Sequence, residues 1–338
     1  MKADKIIKDI SDGVIVIDGN GNIEEINDSA CKILHFVNDG NILTDLFLDT
    51  KNDEFTQIIL DSAFSRKPLI NRKIKYYLDN GQELVLNVKS SIVTSEQGEH
   101  EGIIVSFDDV TNEEKLLKNR KDSSFIFVIM TCFVCLSVYV YDIWLYFDKP
   151  LETTVLSKIT VLVGAIICVL LMKKLNYSFE DIGLGLKNIK RNLVVDSLAA
   201  CIAAVLLVLI KIIILKVNPS FSFYCADGKF FDFAKYTPSG YFLYALSVLA
   251  QEFESRGIVH ESVKRIIDSK YSNSLAIIVS SLFFGALHGF NGIMYMIGAS
   301  LLLAIFGIIY DRQKSIWGLC IPHYVLGMLI GILGFVQY

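Results

Sequence analysis

Gln251-Glu252-Phe253-Glu254-Ser255-Arg256-Gly257 lies deep inside an apolar segment that runs from Gly240 to His260. Two carboxylates and a guanidinium stand where lipid should tolerate none. Ionisable groups in such a segment are costly, so they face a protein interior or a wet cavity and mark function. Residues four apart share a helix face, so Glu252 stacks with Arg256 and Gln251 with Ser255. Glu254 points elsewhere, toward the edge of the segment. Two further apolar segments each carry one histidine, His288 in Phe284-Gly285-Ala286-Leu287-His288 and His323 in His323-Tyr324-Val325-Leu326-Gly327. Small residues at Ser280, Ser281, Gly285 and Ala286 let helices approach closely. Pro322 removes a backbone donor and can kink its helix, orienting His323. From these residues alone two readings stay open: a catalytic site inside a membrane, or a buried ion pair with histidines that join helices by hydrogen bonds.

Outward from this run, the 338-residue chain is 53% hydrophobic, long enough for two domains and too apolar for an ordinary soluble protein. The apolar residues concentrate after about residue 120. Seven segments read as spans: Ser124–Tyr146, Thr154–Met172, Leu193–Leu215, Gly240–His260, Ser274–Phe290, Ile293–Tyr310 and Ile316–Phe335. Most approach the roughly 20 residues that cross a bilayer core. Lysine and arginine cluster before the first and after the second, fourth and sixth, which places the N-terminus in the cytosol and Tyr338 outside. The expectation is an integral protein of the cell membrane with about seven spans. Between the second and third spans, Asn176–Asn192 reads as an amphipathic interfacial helix.

A net charge of -4 carries no nucleic-acid signature. Met1 to Ile10 is charged and leads straight into a strand, so no signal peptide is expected. The seven cysteines show no disulfide framework. Cys132 and Cys135 form a CxxC inside a lipid-spanning run, where small apolar helix residues are the better reading than a zinc or redox site.

The first 118 residues alternate differently. Val14-Ile15-Val16-Ile17 and Asn22-Ile23-Glu24-Glu25-Ile26 are short strands joined by the turn Asp18-Gly19-Asn20-Gly21. Asn27-Asp28-Ser29 offers cap oxygens to a helix starting near Ala30. Asn71 to Tyr77, Glu83 to Val93 and Gly102 to Asp108 read as a three-strand meander, an α+β pattern. This stretch resembles a PAS domain through Asp12-Gly13-Val14-Ile15-Val16-Ile17-Asp18, Gly21-Asn22-Ile23, Asn27 and Asp108-Asp109-Val110-Thr111. The resemblance implies a cytosolic sensory or dimerisation module, with a possible homodimer and a ligand the sequence does not name. His35 reads as a helix histidine rather than a haem ligand. The charged stretch Asn112 to Asp122 reads either as a helix coupling this domain to the first span or as a solvated linker.

The three motifs of the membrane half together resemble the CPBP family, the CAAX proteases and bacteriocin-processing enzymes also called Abi, over about residues 150–335. The family pattern is Glu-Glu-x-x-x-Arg, then Phe-x-x-x-His, then His-x-x-x-Asn. Here it is matched at Gln251-Glu252 with Arg256, at Phe284 with His288, and at His323 with Gly327; Ser315-Ile316-Trp317-Gly318 is also similar. Gln251 and Gly327 depart from the pattern. The resemblance implies a multidomain chain: a PAS-like domain over 1–118, a linker helix and first span over 119–150, and an all-α intramembrane protease domain over 151–338.

It further implies peptide-bond hydrolysis by activated water. Glutamine cannot take a proton as a carboxylate does, so Glu252 becomes the candidate base. His288 shares the water, Arg256 fixes Glu252, His323 polarises the scissile carbonyl, and Gln251 replaces the amide missing at Gly327. Glu254 is a further possible contributor. This scheme requires no cofactor; zinc on Glu252, His288 and His323 is the metal-dependent alternative. The substrate expected is a peptide or membrane protein in the bilayer rather than a prenylated CAAX chain. The competing reading is a non-catalytic relative, a membrane sensor or scaffold that binds a partner protein.

Overall fold

A computed structural model describes residues 7, 10–35, 50–65, 67–147, 153–175 and 177–336. Most of the charged stretch Met1 to Ile10 lies outside the described residues, as does Asn176. The chain divides into two compact units, Met1–Lys118 and Asn119–Tyr338.

In the first unit, β1 (Gly13–Asp18), β2 (Ile23–Ile26), β3 (Arg72–Tyr77), β4 (Glu83–Thr94) and β5 (His100–Asp109) form one antiparallel sheet of order β2-β1-β5-β4-β3. Helices α1 (Asp28–Leu34) and α2 (Asp53–Ser65) contribute to its core. Period-2 alternation puts Ile15, Ile17, Leu86, Val88, Val105 and Phe107 on the buried face. Phe55 of α2 meets Tyr76 and Phe107 edge-on, with ring centroids 5.5 and 5.4 Å apart.

Asn27 joins strand to helix. Its Oδ1 accepts from the amides of Val14 (2.9 Å) and Ala30 (2.8 Å), and its Nδ2 donates to the Asp12 carbonyl at 2.9 Å. The first bond closes onto β1 and the second caps α1. Asn27→Ala is therefore expected to destabilise this unit by about 1–2 kcal/mol. Hydrogen exchange on the full-length protein should show lost amide protection across α1 and β1; unchanged protection there would refute the role. At the far end of the sheet, Thr111 Oγ1 accepts from the Val85 amide at 2.8 Å while the Thr111 amide donates to Asp109 at 2.9 Å. That pair fixes where α3 (Thr111–Tyr146) begins. His35 takes a left-handed conformation at the C-cap of α1, with φ 58°.

The second unit is helical. After α3 come α4 (Thr153–Leu175), α5 (Ile189–Val217), α6 (Pro238–Glu252), a π-helix (Phe253–His260), α7 (Glu261–Ile266), α8 (Ser272–Ala286), α9 (Ile293–Gln313) and α10 (Ile316–Ile332). Its polarity is inverted relative to a water-soluble bundle. Leu198, Ile202, Val205 and Ile213 of α5 are exposed, while Asp196 and Lys211 of the same helix are buried. Apolar outside and ionisable inside is what a lipid surround selects. Cys132 and Cys135 are free and lie on the exposed side of α3.

The expected count of about seven spans does not hold. Among the described residues, four helices are long and apolar enough to cross a membrane: Thr111–Tyr146, Val155–Leu175, Ile189–Val217 and Ile293–Gln313. The other three segments fold as helices of 15, 15 and 17 residues. At 1.5 Å per residue the last two reach only about 22–26 Å, against a hydrocarbon core of about 30 Å. Gly240–His260 changes from α to π winding after Glu252, and Ser274–Phe290 ends before His288. The orientation with a cytosolic N-terminus counted alternate loops of seven crossings, so it falls with that count.

The interfacial helix expected over Asn176–Asn192 is also corrected. Its described residues form turns until α5 starts at Ile189. Gly183 takes φ +75° with the Tyr310 ring packed where a side chain would stand, and Ile182 is buried in the helical core. Asp181 accepts from the Ser178 amide (3.0 Å) and hydroxyl (2.7 Å) and from Arg265 (2.9 Å). Partial burial pushes its carboxyl up, but the Ser178 and Arg265 donors outweigh burial and hold it below the usual carboxylate range.

Candidate active site

Three short elements converge on one buried cluster. Glu252 closes α6, and the π-helix carries Arg256 one turn beyond it. A π-turn inside an α-helix re-aims side chains and recurs at functional sites. Gly257 lets the Ile182 backbone approach this turn closely, because a Cβ there would lie 2.8 Å from the Ile182 carbonyl oxygen. His288 follows the C-terminus of α8, and His323 follows Pro322 within α10.

Glu252 and Arg256 are both fully buried. His323 Nδ1 lies 2.6 Å from Glu252 Oε1, a hydrogen bond in which the imidazole donates. Arg256 Nε stands 3.8 Å from Glu252 Oε2, close enough for charge pairing but too far for a hydrogen bond. The guanidinium instead donates to Ser280 Oγ of α8 at 2.9 Å and to the Leu303 carbonyl of α9. His288 Nδ1 lies 2.8 Å from the Phe284 carbonyl oxygen. A carbonyl only accepts, so that nitrogen carries the proton and Nε2 of neutral His288 keeps its lone pair. The Phe284 ring touches both imidazoles, with centroids 4.4 Å from His288 and 5.6 Å from His323.

A cavity of about 990 Å³ opens on this cluster. His288, His323, Tyr244, Tyr295, Asn291 and Gly327 stand on its wall among mostly apolar neighbours, whereas Glu252 does not. Gln251, Glu254 and Ser255 line a separate, smaller cavity of about 80 Å³ that His288 also borders. Glu254 is buried against α4 rather than placed at an edge; a Cβ at Gly164 would meet its carboxylate at 2.7 Å. Gly327 lies in the large cavity one turn past His323, and a Cβ there would fall on the Tyr244 hydroxyl.

Glu252, Arg256, His288 and His323 thus meet in one region, while Gln251 and Glu254 face another. Among the described residues, no three His, Cys, Asp or Glu side chains are grouped to hold a metal ion, so Glu252, His288 and His323 do not form a ready three-ligand set. Sequence reasoning passed over Tyr244, Asp196 and Lys211. Asp196 and Lys211 carry a usable signal, since each is an ionisable group in an apolar run. Lys211 donates to the carbonyls of Phe230 (2.6 Å) and Leu333 (2.7 Å), and Asp196 accepts from Gln313 at 2.8 Å.

Comparison with known families matches residues 233–329 to the type II CAAX prenyl endopeptidase Rce1-like family, and residues 2–110 to the PAS fold. The chain carries a CAAX-protease domain of the Rce1-like, CPBP type after an N-terminal PAS-fold domain. The Rce1-like match takes in α6, the π-helix and most of α10, and so contains Glu252, Arg256, His288 and His323. A search of curated proteins finds no match. Solved structures similar to about a third of the chain include PAS domains. One from Colwellia psychrerythraea is 14% identical over 32% of this chain and 94% of that one, with a TM-score of 0.27. One from Bordetella pertussis BvgS is 20% identical over 33% of this chain and 86% of that one, with a TM-score of 0.25. One from the fruit-fly ELK potassium channel is 15% identical over 32% and 94%, with a TM-score of 0.27.

Proposed function

We propose that the Rce1-like domain is an intramembrane endopeptidase that hydrolyses a peptide or membrane-protein substrate under the influence of the PAS domain. The observation that carries this reading is the 2.6 Å bond from His323 Nδ1 to buried Glu252, made by an imidazole that stands with His288 on the wall of the 990 Å³ cavity. Glu252 takes the Nδ1 proton as acceptor and leaves the Nε2 lone pair of His323 for the cavity. A water there can donate one hydrogen to His323 and the other to His288.

As the water oxygen bonds to the scissile carbonyl carbon, its proton passes to His323 Nε2, and Glu252 stabilises the imidazolium that forms. Collapse of the tetrahedral intermediate breaks the C–N bond, and the imidazolium returns the proton to the leaving amine. The products are an amine and a carboxylic acid, which gives up its remaining proton to solvent, with no covalent enzyme intermediate. Glu252 therefore acts through His323 rather than on the water itself. Arg256 holds the buried carboxylate in place and ties its helix to α8 and α9.

The test is cleavage of a peptide library by detergent-purified full-length protein, wild type beside His323→Ala and His288→Ala. Turnover in the wild type is expected to fall at least about 10²-fold in each variant. A wild type with no turnover would favour instead a membrane sensor or scaffold, the reading to which Gln251 and Gly327 already lean.

A further inference from the structure

The large cavity holds a base but still needs a group to receive the negative charge that develops on the carbonyl oxygen. His288 and His323 both present acceptor nitrogens in their neutral forms, so neither can fill that role while the water is being deprotonated. A donor must come from elsewhere on the same wall.

We propose that the Tyr244 hydroxyl is the hydrogen-bond donor to the oxyanion, and that Gly327 is small in order to admit it. Tyr244 lies on α6, eight residues before Glu252, and borders the same cavity as His288 and His323. Gly327 lies on α10 four residues after His323, which puts both positions on one helix face. A Cβ at 327 would fall on the Tyr244 hydroxyl oxygen, and would lie 2.8 Å from its Cζ and 3.1 Å from its Cε1. The phenol therefore occupies the slot that a side chain one turn past His323 would otherwise fill. Tyr324, beside His323, packs on the Tyr244 ring at 5.8 Å between centroids and limits how far it can swing. A phenol O–H is a stronger donor than an amide N–H, and on a mostly apolar wall its bond to a developing alkoxide strengthens as charge builds. The glycine at 327 is then the partner of a tyrosine from another helix, rather than simply the loss of a donor.

This rests on the endopeptidase reading above, and one set of measurements separates the two. Full-length protein is assayed on a cleaved peptide as wild type, Tyr244→Phe, Tyr244→Ala, and Tyr244→Ala with Gly327→Asn. Tyr244→Phe removes only the oxygen, and its melting temperature should match the wild type. Its kcat is expected to fall about 10²–10³-fold with KM changed by no more than about threefold, because the donor acts on the transition state and not on bound substrate. Adding Gly327→Asn to Tyr244→Ala is expected to restore at least about tenfold, since the vacated slot then receives an amide donor. Wild-type turnover that survives Tyr244→Phe within about threefold would overturn the oxyanion role while leaving the endopeptidase intact. Absence of turnover in the wild type would overturn both.

Discussion

Glu252→Gln is expected to lower kcat/KM by about 10³–10⁴-fold, more than any other single-atom exchange in the protein. The reason is a tautomer. In the wild type the carboxylate accepts from His323 Nδ1 at 2.6 Å, so Nε2 is free to receive the proton of water. A glutamine there can present its amide N–H to the same nitrogen. The imidazole then carries its proton on Nε2, facing the cavity, and cannot act as base. Loss of the comparable orienting carboxylate in serine hydrolases costs about 10⁴-fold by the same route.

Glu252→Asp keeps the charge but shortens the reach, so it should retain more activity than the glutamine variant. The measurement is kcat/KM against pH for the three proteins. If Glu252 only held helices together, the variants would lose stability while keeping the shape of the wild-type pH profile. A glutamine variant within about threefold of wild type would end the proposal that Glu252 acts through His323.

Much of this cluster is legible in the sequence because lipid makes it so. Glu252, Arg256, His288 and His323 stand out as ionisable groups in apolar runs, and such groups rarely occur there without a polar partner. What fails is geometry. Hydropathy along Gly240–His260 is blind to the π-helix at Phe253–His260, and blind to the helix end that sets His288 beyond Ala286.

Tyr244 is invisible for a different reason. An aromatic residue in a membrane helix is ordinary, and only the absent side chain at Gly327, 83 positions later, gives it meaning. In the first unit, strands and turns follow from alternation and from Asn27, because those signals are local. Ile182 and Gly183 defeat the periodic reading of Asn176–Asn192 because one is drawn into the bundle and the other takes a positive φ against Tyr310, both tertiary facts.

Arg256→Met is the second large effect, and it falls on stability. Arg256 is fully buried, donates to Ser280 Oγ on α8 and to the Leu303 carbonyl on α9, and pairs in charge with Glu252. Removing it strips three helices of a shared donor and leaves the Glu252 carboxylate buried with His323 alone. Breaking one side of a buried pair costs about 3–5 kcal/mol, because the remaining charge keeps its desolvation penalty. Arg256→Lys keeps a charge but lacks the fork that reaches both acceptors, so it should lie between methionine and wild type. Thermal unfolding in detergent reads all three.

A double variant, Glu252→Gln with Arg256→Met, separates the pair from the packing. With neither charge present the penalty of an orphan ion disappears, and the double variant should be less destabilised than the sum of the two single losses. Strict additivity would mean that the 3.8 Å approach of Arg256 to Glu252 carries no coupling, and that the guanidinium serves only α8 and α9. Non-additivity would tie the stability of the bundle to the same carboxylate that orients His323. The site would then be held by the charge it uses, and mutations that disarm the base would also loosen the helices around the cavity.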